Sequence, residues 1–268
     1  MRFAIIGGGN MGGALARGLA QGTKVRQEDI CVSNPTQTKL QQLKTVYPLM
    51  QTTTDNVACM AGADVIVLAV KPWKLQSVAE EIKPHINFSK QIVCSMVGGV
   101  GLNELRTLFQ DSVISAQGTF YYLIPNTAIA TRQSMTFLAS VGSNAETDGM
   151  LMDIFRELGD AMLVEERLMN AGMVLASCGI ANALRYIRAA SEGGVQMGFR
   201  PGEAQRIVAQ TLRGAASLLD AEGSHPETEI DKVTTPGGLT IRGLNAMEQA
   251  GFTHAVIQGL LAALPKKE

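Results

Sequence analysis

Three glycines near the start of the chain have the spacing of a phosphate-binding turn. Gly7, Gly9 and Gly12 form a G-x-G-x-x-G pattern between an apolar run, 1–6, and a helical pattern. In a strand–turn–helix unit, such glycines allow a tight turn, close approach of the backbone to a pyrophosphate and close packing of the helix on the strand. The helix N-terminus adds unpaired N–H groups and partial positive charge. The pattern predicts a dinucleotide site, and the residues expected to bind there are Ile6, Gly7, Gly8, Gly9, Asn10 and Met11.

Polar and small residues follow the other predicted strands, at the edge where a parallel sheet binds its ligands. Ser33 and Asn34 end the strand Ile30–Ser33 at the expected position of the adenosine ribose, and no Asp or Glu accompanies them. An acid there would bind the ribose hydroxyls of NAD, so its absence favours the 2′-phosphate of NADP, with NAD as the alternative cofactor. The same two residues also suit an ordinary turn. The other residues expected at the cofactor are Asn56, Ala69, Val70, Lys71, Pro72, Ser95 and Asn126.

A second candidate site lies late in the chain, where Pro236, Gly237 and Gly238 precede a helical pattern that begins near Leu239. Glycines before a helix leave backbone N–H groups unobstructed and unpaired, which suits a carboxylate. Thr240 would lie in the first turn of that helix, with its hydroxyl beside the same groups. The alternative is an ordinary turn in which a threonine caps the helix.

Alternating strand and helix patterns must position the first site. Continuous apolar runs typical of buried parallel strands alternate with helical patterns, which predicts right-handed crossovers and a Rossmann-type, doubly wound parallel sheet in an α/β fold. The predicted strands are 1–6, 30–33, 64–70, 91–99 with its glycine turn, 113–115, 120–124, 135–139 and 161–164. Helices are predicted at 14–19, 39–46, 73–82 and 147–158, with another that begins at 54.

From about residue 166 the patterns become entirely helical. Apolar residues recur at helical spacing over 169–188, 202–219, 239–249 and 254–264, with turns at 200–202 and 223–226. We therefore expect a dinucleotide-binding domain, 1–165, followed by an all-helical dimerisation and substrate domain, 166–268. Several of these helices are apolar on more than one face, which implies burial nearly all round. An intertwined homodimer satisfies this burial, and the alternative is a compact bundle in which the helices bury one another.

The composition limits the classes of partner. The chain has 268 residues, 46% of them hydrophobic, and its formal net charge of -1 gives no electrostatic reason to expect nucleic acid or an anionic membrane. Its apolar runs are too short to span a bilayer and no leader segment is evident, so we expect a cytoplasmic protein. The four cysteines and three histidines lack metal-ligand spacing, so no metal is expected and the thiols are predicted to be buried and free.

Four stretches of the chain form a specific pattern when their order and spacing are taken together. They are 6–11, 69–72, 125–128 and 231–240, the last with a Pro-Gly-Gly-x-Thr core. Together they resemble the pyrroline-5-carboxylate reductase family. The resemblance implies hydride transfer from NADPH to the ring carbon of a cyclic imine that carries a carboxylate, giving proline, the last step of proline synthesis. It implies that Thr240 hydrogen-bonds the imine nitrogen as the catalytic residue, and that the chain forms a homodimer or a higher assembly of dimers. The implied substrate-binding residues are Val233, Thr235, Gly237, Gly238 and Leu239.

The chain departs from that family's pattern at three places. Tyr122 stands where relatives usually have arginine, and Ala128 where they usually have proline. The family motif G-S-G-P-A-Y aligns with 177–182, where only Gly179 and Ala181 are retained. Two other functions therefore stay open: a related NADP-dependent imine or hydroxy-acid oxidoreductase, and a catalytically silent NADP-binding regulatory protein. A 3-hydroxy-acid dehydrogenase would want a catalytic lysine within 169–187, and none is present there.

Overall fold

The computed structural model describes residues 1–109 and 118–265, with the side chain of Glu222 excepted. The chain divides into two compact units, Met1–Ser177 and Cys178–Glu268. The first unit is a sheet covered by helices, and the second contains helices. The strand predicted at 113–115 lies outside the described residues.

The described part of the first unit contains eight strands: β1 (Phe3–Ile6), β2 (Ile30–Ser33), β3 (Gln51–Thr53), β4 (Val65–Leu68), β5 (Ile92–Ser95), β6 (Thr119–Ile124), β7 (Ser134–Val141) and β8 (Gly159–Leu163). They form one sheet in the order β3-β2-β1-β4-β5-β6-β7-β8. Neighbouring strands are parallel except for β6 and β7, which are antiparallel. Because the strands from β3 to β6 all run in one direction, their carboxyl ends meet at one edge of the sheet.

Helices cover both faces of this sheet. They are α1 (Asn10–Gln21), α2 (Gln37–Val46), α3 (Asn56–Met60), α4 (Pro72–Ile82), α5 (Leu102–Phe109), α6 (Ala145–Arg156) and α7 (Met169–Gly172). Successive strand residues point to opposite faces, so Ile5 joins one hydrophobic cluster with Leu15 of α1, whereas Ile6 joins another with Leu75 of α4. A strand that is buried on both faces must be apolar at every position, which explains the uninterrupted apolar runs of β1 and β4.

The doubly wound sheet predicted from the sequence is confirmed, with three differences. The β6–β7 pair is antiparallel, which the sequence pattern does not predict. The sequence does not indicate β3 because this strand is polar and only partly buried. It does not indicate α5 either, although Leu102, Leu105 and Phe109 place an apolar stripe on that helix.

The second unit contains the helices α8 (Gly179–Gln196), α9 (Pro201–Glu222), α10 (Pro226–Lys232), α11 (Leu239–Gln249) and α12 (Phe252–Ala262). A π-helical turn, Met173–Cys178, lies between α7 and α8 within the segment predicted as one helix. The turn predicted at 200–202 ends earlier in the structure, because Arg200 is the N-cap residue of α9 and Pro201 is its first helical residue, a position that suits the fixed φ of proline. The turn at 223–226 is shorter than predicted, since Pro226 already begins α10.

Helices α8 and α9 pack closely through small residues. A Cβ at Gly194 would lie 2.9 Å from the Cβ of Ala204, and these two are the buried residues among the described positions of the second unit. Large apolar side chains elsewhere in the unit are exposed, among them Leu184, Met197 and Leu239. The helices of one chain therefore do not bury one another as the compact-bundle alternative requires. Among the described residues, no helix is both long enough and apolar enough to cross a membrane.

Candidate functional site

The glycine turn after β1 has the close contacts that its spacing predicts. Gly7 has φ +108°, and a Cβ there would lie 2.6 Å from the carbonyl oxygen of Ala69. A Cβ at Gly12 would lie 2.9 Å from the Cβ of Ala69 and closer still to the carbonyl oxygen of Gly7. Gly9 differs, since no atom lies within 4 Å of the position that its Cβ would take. Two glycines thus allow close packing within the protein, and the third leaves space above the turn.

Backbone hydrogen bonds hold this turn against the neighbouring strands. The N–H groups of Gly7 and Gly8 both donate to the carbonyl oxygen of Ser33, at 2.9 and 3.0 Å, and the N–H of Ala69 donates to Ile6 at 2.8 Å. The N–H groups of Gly9, Asn10 and Met11, in contrast, donate to no group of the described chain. They lie at the N-terminus of α1, so they form a ready site for a phosphate oxygen.

At the carboxyl end of β2, a polar chain of contacts links three elements. The buried Ser33 hydroxyl donates to Oδ1 of Asn56 at 2.7 Å, and Nδ2 of Asn56 donates to Oε2 of Glu81 at 2.9 Å. Nδ2 of Asn34 donates to the carbonyl oxygen of Thr36 at 3.2 Å. An acid therefore does reach the neighbourhood of the expected ribose. The sequence contains no signal for it, because Glu81 lies on α4, far along the chain from Ser33.

The residues predicted after β4 and β5 lie at the same edge of the sheet. Lys71 is the N-cap residue of α4, and its ammonium group lies 5.9 Å from the ring centre of Trp73. Ser95 ends β5, is fully buried, and accepts a hydrogen bond from the N–H of Val97 at 3.2 Å. Because Ser95 pairs with Leu68 across the sheet, it lies next to the strand end that leads to Lys71.

Asn126 follows β6, and its polar side-chain atoms hold the local loop. Its Oδ1 accepts from the N–H of Ala128 at 3.0 Å, and its Nδ2 donates to the carbonyl oxygen of Ala176 in the π-helical turn at 3.4 Å. The Ser177 hydroxyl donates to the carbonyl oxygen of Pro125 at 2.9 Å. These bonds fix the position of Asn126. Its contact with a cofactor stays a prediction.

Tyr122, where arginine is usual in the family that the sequence resembles, is buried in β6. Burial raises the pKa of the Tyr122 hydroxyl, and the negative charge of Glu166 raises it further, although a hydrogen bond with the backbone of Gly99 opposes both effects. The side chain is therefore neutral at pH 7, and this position supplies no positive charge.

The late candidate site lies in the second unit, before α11. Gly238 is the N-cap residue of that helix, Thr240 is its second residue, and Gly237 has φ +67°. The N–H groups of Gly237, Leu239 and Thr240 have no hydrogen-bond partner in the described chain. The expectation of an unpaired N–H fails at Gly238, which donates to the carbonyl oxygen of Thr235 at 2.9 Å and so closes the turn. Val233, Thr235 and Thr240 are exposed beside it.

The first unit thus brings together the strand ends at Gly7, Ser33, Ala69 and Ser95, and Asn56 at the start of α3 lies beside Ser33. Three of the cysteines, Cys31, Cys59 and Cys94, are buried as predicted, whereas Cys178 is half-exposed. No group of three or more metal-ligating side chains occurs in the part of the chain that the structure describes. A glycine turn at the carboxyl edge of a doubly wound sheet defines a Rossmann-type dinucleotide-binding protein.

Comparisons with known proteins narrow this class. Residues 166–268 match the family model described as pyrroline-5-carboxylate reductase dimerisation, and residues 2–99 match the model described as NADP oxidoreductase, coenzyme F420-dependent. Pyrroline-5-carboxylate reductase 2 of Dictyostelium discoideum is 34% identical over 98% of this chain and 91% of its own length. The Methanosarcina acetivorans pyrroline-5-carboxylate reductase is 32% identical over 98% of this chain and 95% of its own length. The chain belongs to the pyrroline-5-carboxylate reductase family.

Three further comparisons concern the length of one relative and the fold of two solved structures. This chain spans 48% of the length of pyrroline-5-carboxylate reductase 1 of Dictyostelium discoideum, to which it is 35% identical over 98% of its own residues. The structure of a pyrroline-5-carboxylate reductase from Coxiella burnetii matches with a TM-score of 0.86 at 28% identity, covering 98% of this chain and 95% of that one. The Plasmodium falciparum pyrroline carboxylate reductase, solved with NADP bound, matches in fold with a TM-score of 0.84 at 24% identity, covering 98% and 95%.

Proposed function

We propose that this protein reduces 1-pyrroline-5-carboxylate to proline with NADPH, with NADH as the alternative reductant. Binding of NADPH is supported by the unpaired N–H groups of Gly9, Asn10 and Met11, which lie beneath open space at the N-terminus of α1. Membership of the reductase family supports pyrroline-5-carboxylate as the substrate, since the relatives are named for this reaction.

The first unit's residues fit a dinucleotide, which when bound supplies the hydride. The N–H groups of Gly9 to Met11 would hold its pyrophosphate, and Gly7 and Gly12 keep the turn tight enough to present them. Residues from Ala69 to Pro72, together with Ser95 and Asn126, lie at the same edge, and we propose that they line the path of the cofactor.

In the second unit, we assign the substrate carboxylate to the unpaired N–H groups before α11. Gly237 and Leu239 supply two of these groups, and the positive end of the helix adds attraction for an anion. The Thr240 hydroxyl makes no hydrogen bond within the described chain, so it is available to donate to the imine nitrogen. The pKa of a threonine hydroxyl is too high for a free acid. Thr240 therefore acts as a polarising donor that orients the imine.

The exposed apolar helices of the second unit support a homodimer. Residues such as Leu184, Met197 and Leu261 would lose contact with water if a second copy covered them, and burial of each large side chain contributes about 1.5–3 kcal/mol. A higher assembly of dimers is the alternative. Four unpaired thiols are typical of a reducing compartment, which supports a cytoplasmic location.

Oxidation of NADPH, followed by absorbance with and without pyrroline-5-carboxylate, tests the reaction. We expect oxidation that depends on the imine and yields proline. Thr240→Ala should lower kcat by roughly 10²–10³ and Thr240→Ser should restore most of it, because one well-placed donor has an effect of that size. Thr45→Ala is a matched control, since the Thr45 hydroxyl bonds only to its own helix.

The same assay, together with a titration of NADPH binding, separates the alternatives. Binding of NADPH without turnover of any imine would favour the silent regulatory protein. Turnover of another imine or of a hydroxy acid, with none of pyrroline-5-carboxylate, would favour the divergent oxidoreductase. An unchanged rate in Thr240→Ala would remove this residue from the mechanism even if the reaction itself is found.

A further inference from the structure

A cleft of about 290 Å³ lies between α1 and α2, beside the glycine turn. Gly8, Gly9 and Asn10 line the cleft, and Arg17 of α1 and Lys39 of α2 contribute two cationic side chains to the same lining. No acidic residue is among the described residues that line it. The cleft therefore places two positive charges next to the backbone groups that we assign to the cofactor.

Neither cation has a partner among the residues that the structure describes. The Arg17 guanidinium and the Lys39 ammonium form no ion pair or hydrogen bond within the described part of the chain, although other surface cations such as Arg26 do. The Arg17 side chain also lies back along α1 toward its first turns, because a Cβ at Gly13 would be 3.6 Å from Nη1. Two cations that share a cleft without a counter-ion repel each other, so an anion bound between them would be stabilised.

The position of this cleft indicates which anion it takes. Gly8 lies under Asn34 at the end of β2, since a Cβ at Gly8 would be 3.2 Å from the Cβ of Asn34. In this fold the adenosine ribose of a dinucleotide lies at that strand end. The other polar group there, Asn56, is hydrogen-bonded to the carboxylate of Glu81, which repels a phosphate. Positive charge for a ribose phosphate must therefore come from the side of α1 and α2.

We propose that Arg17 and Lys39 recognise the 2′-phosphate on the adenosine ribose of NADPH and thereby set the preference for NADPH over NADH. The inference rests on the proposed function only in that the cofactor is a nicotinamide dinucleotide. Both side chains are specificity-determining residues, because NADH carries a hydroxyl where NADPH carries the phosphate. The pyrophosphate, which both cofactors share, stays with the N–H groups of α1.

Dissociation constants for NADPH and NADH, measured by titration calorimetry on the full chain, test this role. Arg17→Gln and Lys39→Gln should each raise Kd for NADPH about tenfold, and the double variant more, while Kd for NADH changes less than about twofold. Adenosine 2′-monophosphate should bind the wild type more tightly than the double variant. Lys90→Gln, at an exposed lysine outside the cleft, is the control and should change neither constant.

Equal weakening of NADPH and NADH would overturn the proposal, because it would place these cations at the shared pyrophosphate. Unchanged binding of both cofactors in the double variant would overturn it as well. Failure of the proposed function has a different signature: NADPH binds the wild type tightly, and no pyrroline-5-carboxylate is turned over. Thermal unfolding of each variant shows whether a loss of binding comes from a loss of folding.

Discussion

Alanine substitutions at two glycines of the same turn should change different properties: Gly12→Ala should lower stability, and Gly9→Ala should lower the affinity for NADPH. A Cβ at Gly12 would be 2.9 Å from the Cβ of Ala69 and nearer still to the backbone of Gly7, so α1 would have to move away from the turn. Forcing extra atoms into a packed core typically costs 1–3 kcal/mol, and a backbone neighbour yields less than a side chain. We expect Gly12→Ala to lower the free energy of unfolding by about 3 kcal/mol, a large share of the 5–15 kcal/mol typical of a domain.

Gly9→Ala meets no such obstacle in the protein itself. No atom lies within 4 Å of the added Cβ, and the φ of −76° and ψ of −158° at Gly9 are open to alanine. Its stability should therefore stay within about 1 kcal/mol of the wild type. The methyl group would occupy the space above the turn where we place the pyrophosphate. Its affinity for NADPH should fall at least tenfold, which corresponds to about 1.4 kcal/mol.

Urea unfolding followed by circular dichroism measures the first quantity, and calorimetric titration with NADPH measures the second. Unchanged stability of Gly12→Ala would contradict the close approach of α1 to the turn. Wild-type affinity in a folded Gly9→Ala would contradict the placement of the pyrophosphate over this residue. Loss of stability in both variants would mean that the space above Gly9 is not open in the folded protein.

Two other features allow shorter tests. Burial by itself raises the pKa of Glu157, but hydrogen bonds from Thr23 and the N–H of Lys24 lower it more, so the pKa is below its ordinary value. The ionised carboxylate therefore stabilises the folded protein above about pH 4.3, and this stabilisation is lost as the pH falls through the folded-state pKa. Glu157→Gln should therefore lower the free energy of unfolding by roughly 1–2 kcal/mol at pH 7, and by clearly less at pH 3.5; equal differences at both pH values in urea titrations would refute this reasoning. Trp73, the single tryptophan, is 75% exposed beside Lys71. Its fluorescence emission should fall when NADPH binds, because the excited indole would transfer energy to the nicotinamide. Trp73→Phe removes this emission and is the blank, and unchanged Trp73 emission at saturating NADPH would contradict a cofactor bound beside this residue.

The sequence predicts those parts of the fold in which local pattern and burial agree. The strand Ile30–Ser33 and the helix Leu239–Gln249 have the predicted bounds, because apolar spacing and flanking turn residues coincide there. Strand β3 lies at the edge of the sheet and needs little apolar surface, so it leaves no pattern in the sequence. The antiparallel β7 depends on the long-range pairing of Leu123 with Leu138, which no local spacing encodes.

The candidate site likewise has features that the sequence predicts and features that it does not. Gly7 and Gly12 are predictable because their backbone contacts permit only glycine, and this restriction is visible as a motif. The carboxylate of Glu81 reaches Asn56 from a different helix, so the absence of an acid at the end of β2 does not establish the absence of negative charge nearby. Pairing of the Gly238 N–H with Thr235 likewise follows from the conformation of the turn and not from its composition.

One of the two bonds that hold the loop after β6 comes from a changed position of the motif at 177–182. Asn126 donates to the backbone carbonyl of Ala176, which a residue of any type supplies, and Pro125 accepts from the hydroxyl of Ser177. The π-helical turn makes the bond from Asn126 feasible because a π-helix leaves carbonyl groups outside the regular α-helical pattern. Ser177 stands where the family motif has its first glycine, so this substitution supplies the second bond, whereas the other changed residues, Cys178, Ile180 and Asn182, take part in neither. The departure from the family motif therefore adds a hydrogen bond to this loop at the edge of the sheet and leaves the bond from Asn126 in place.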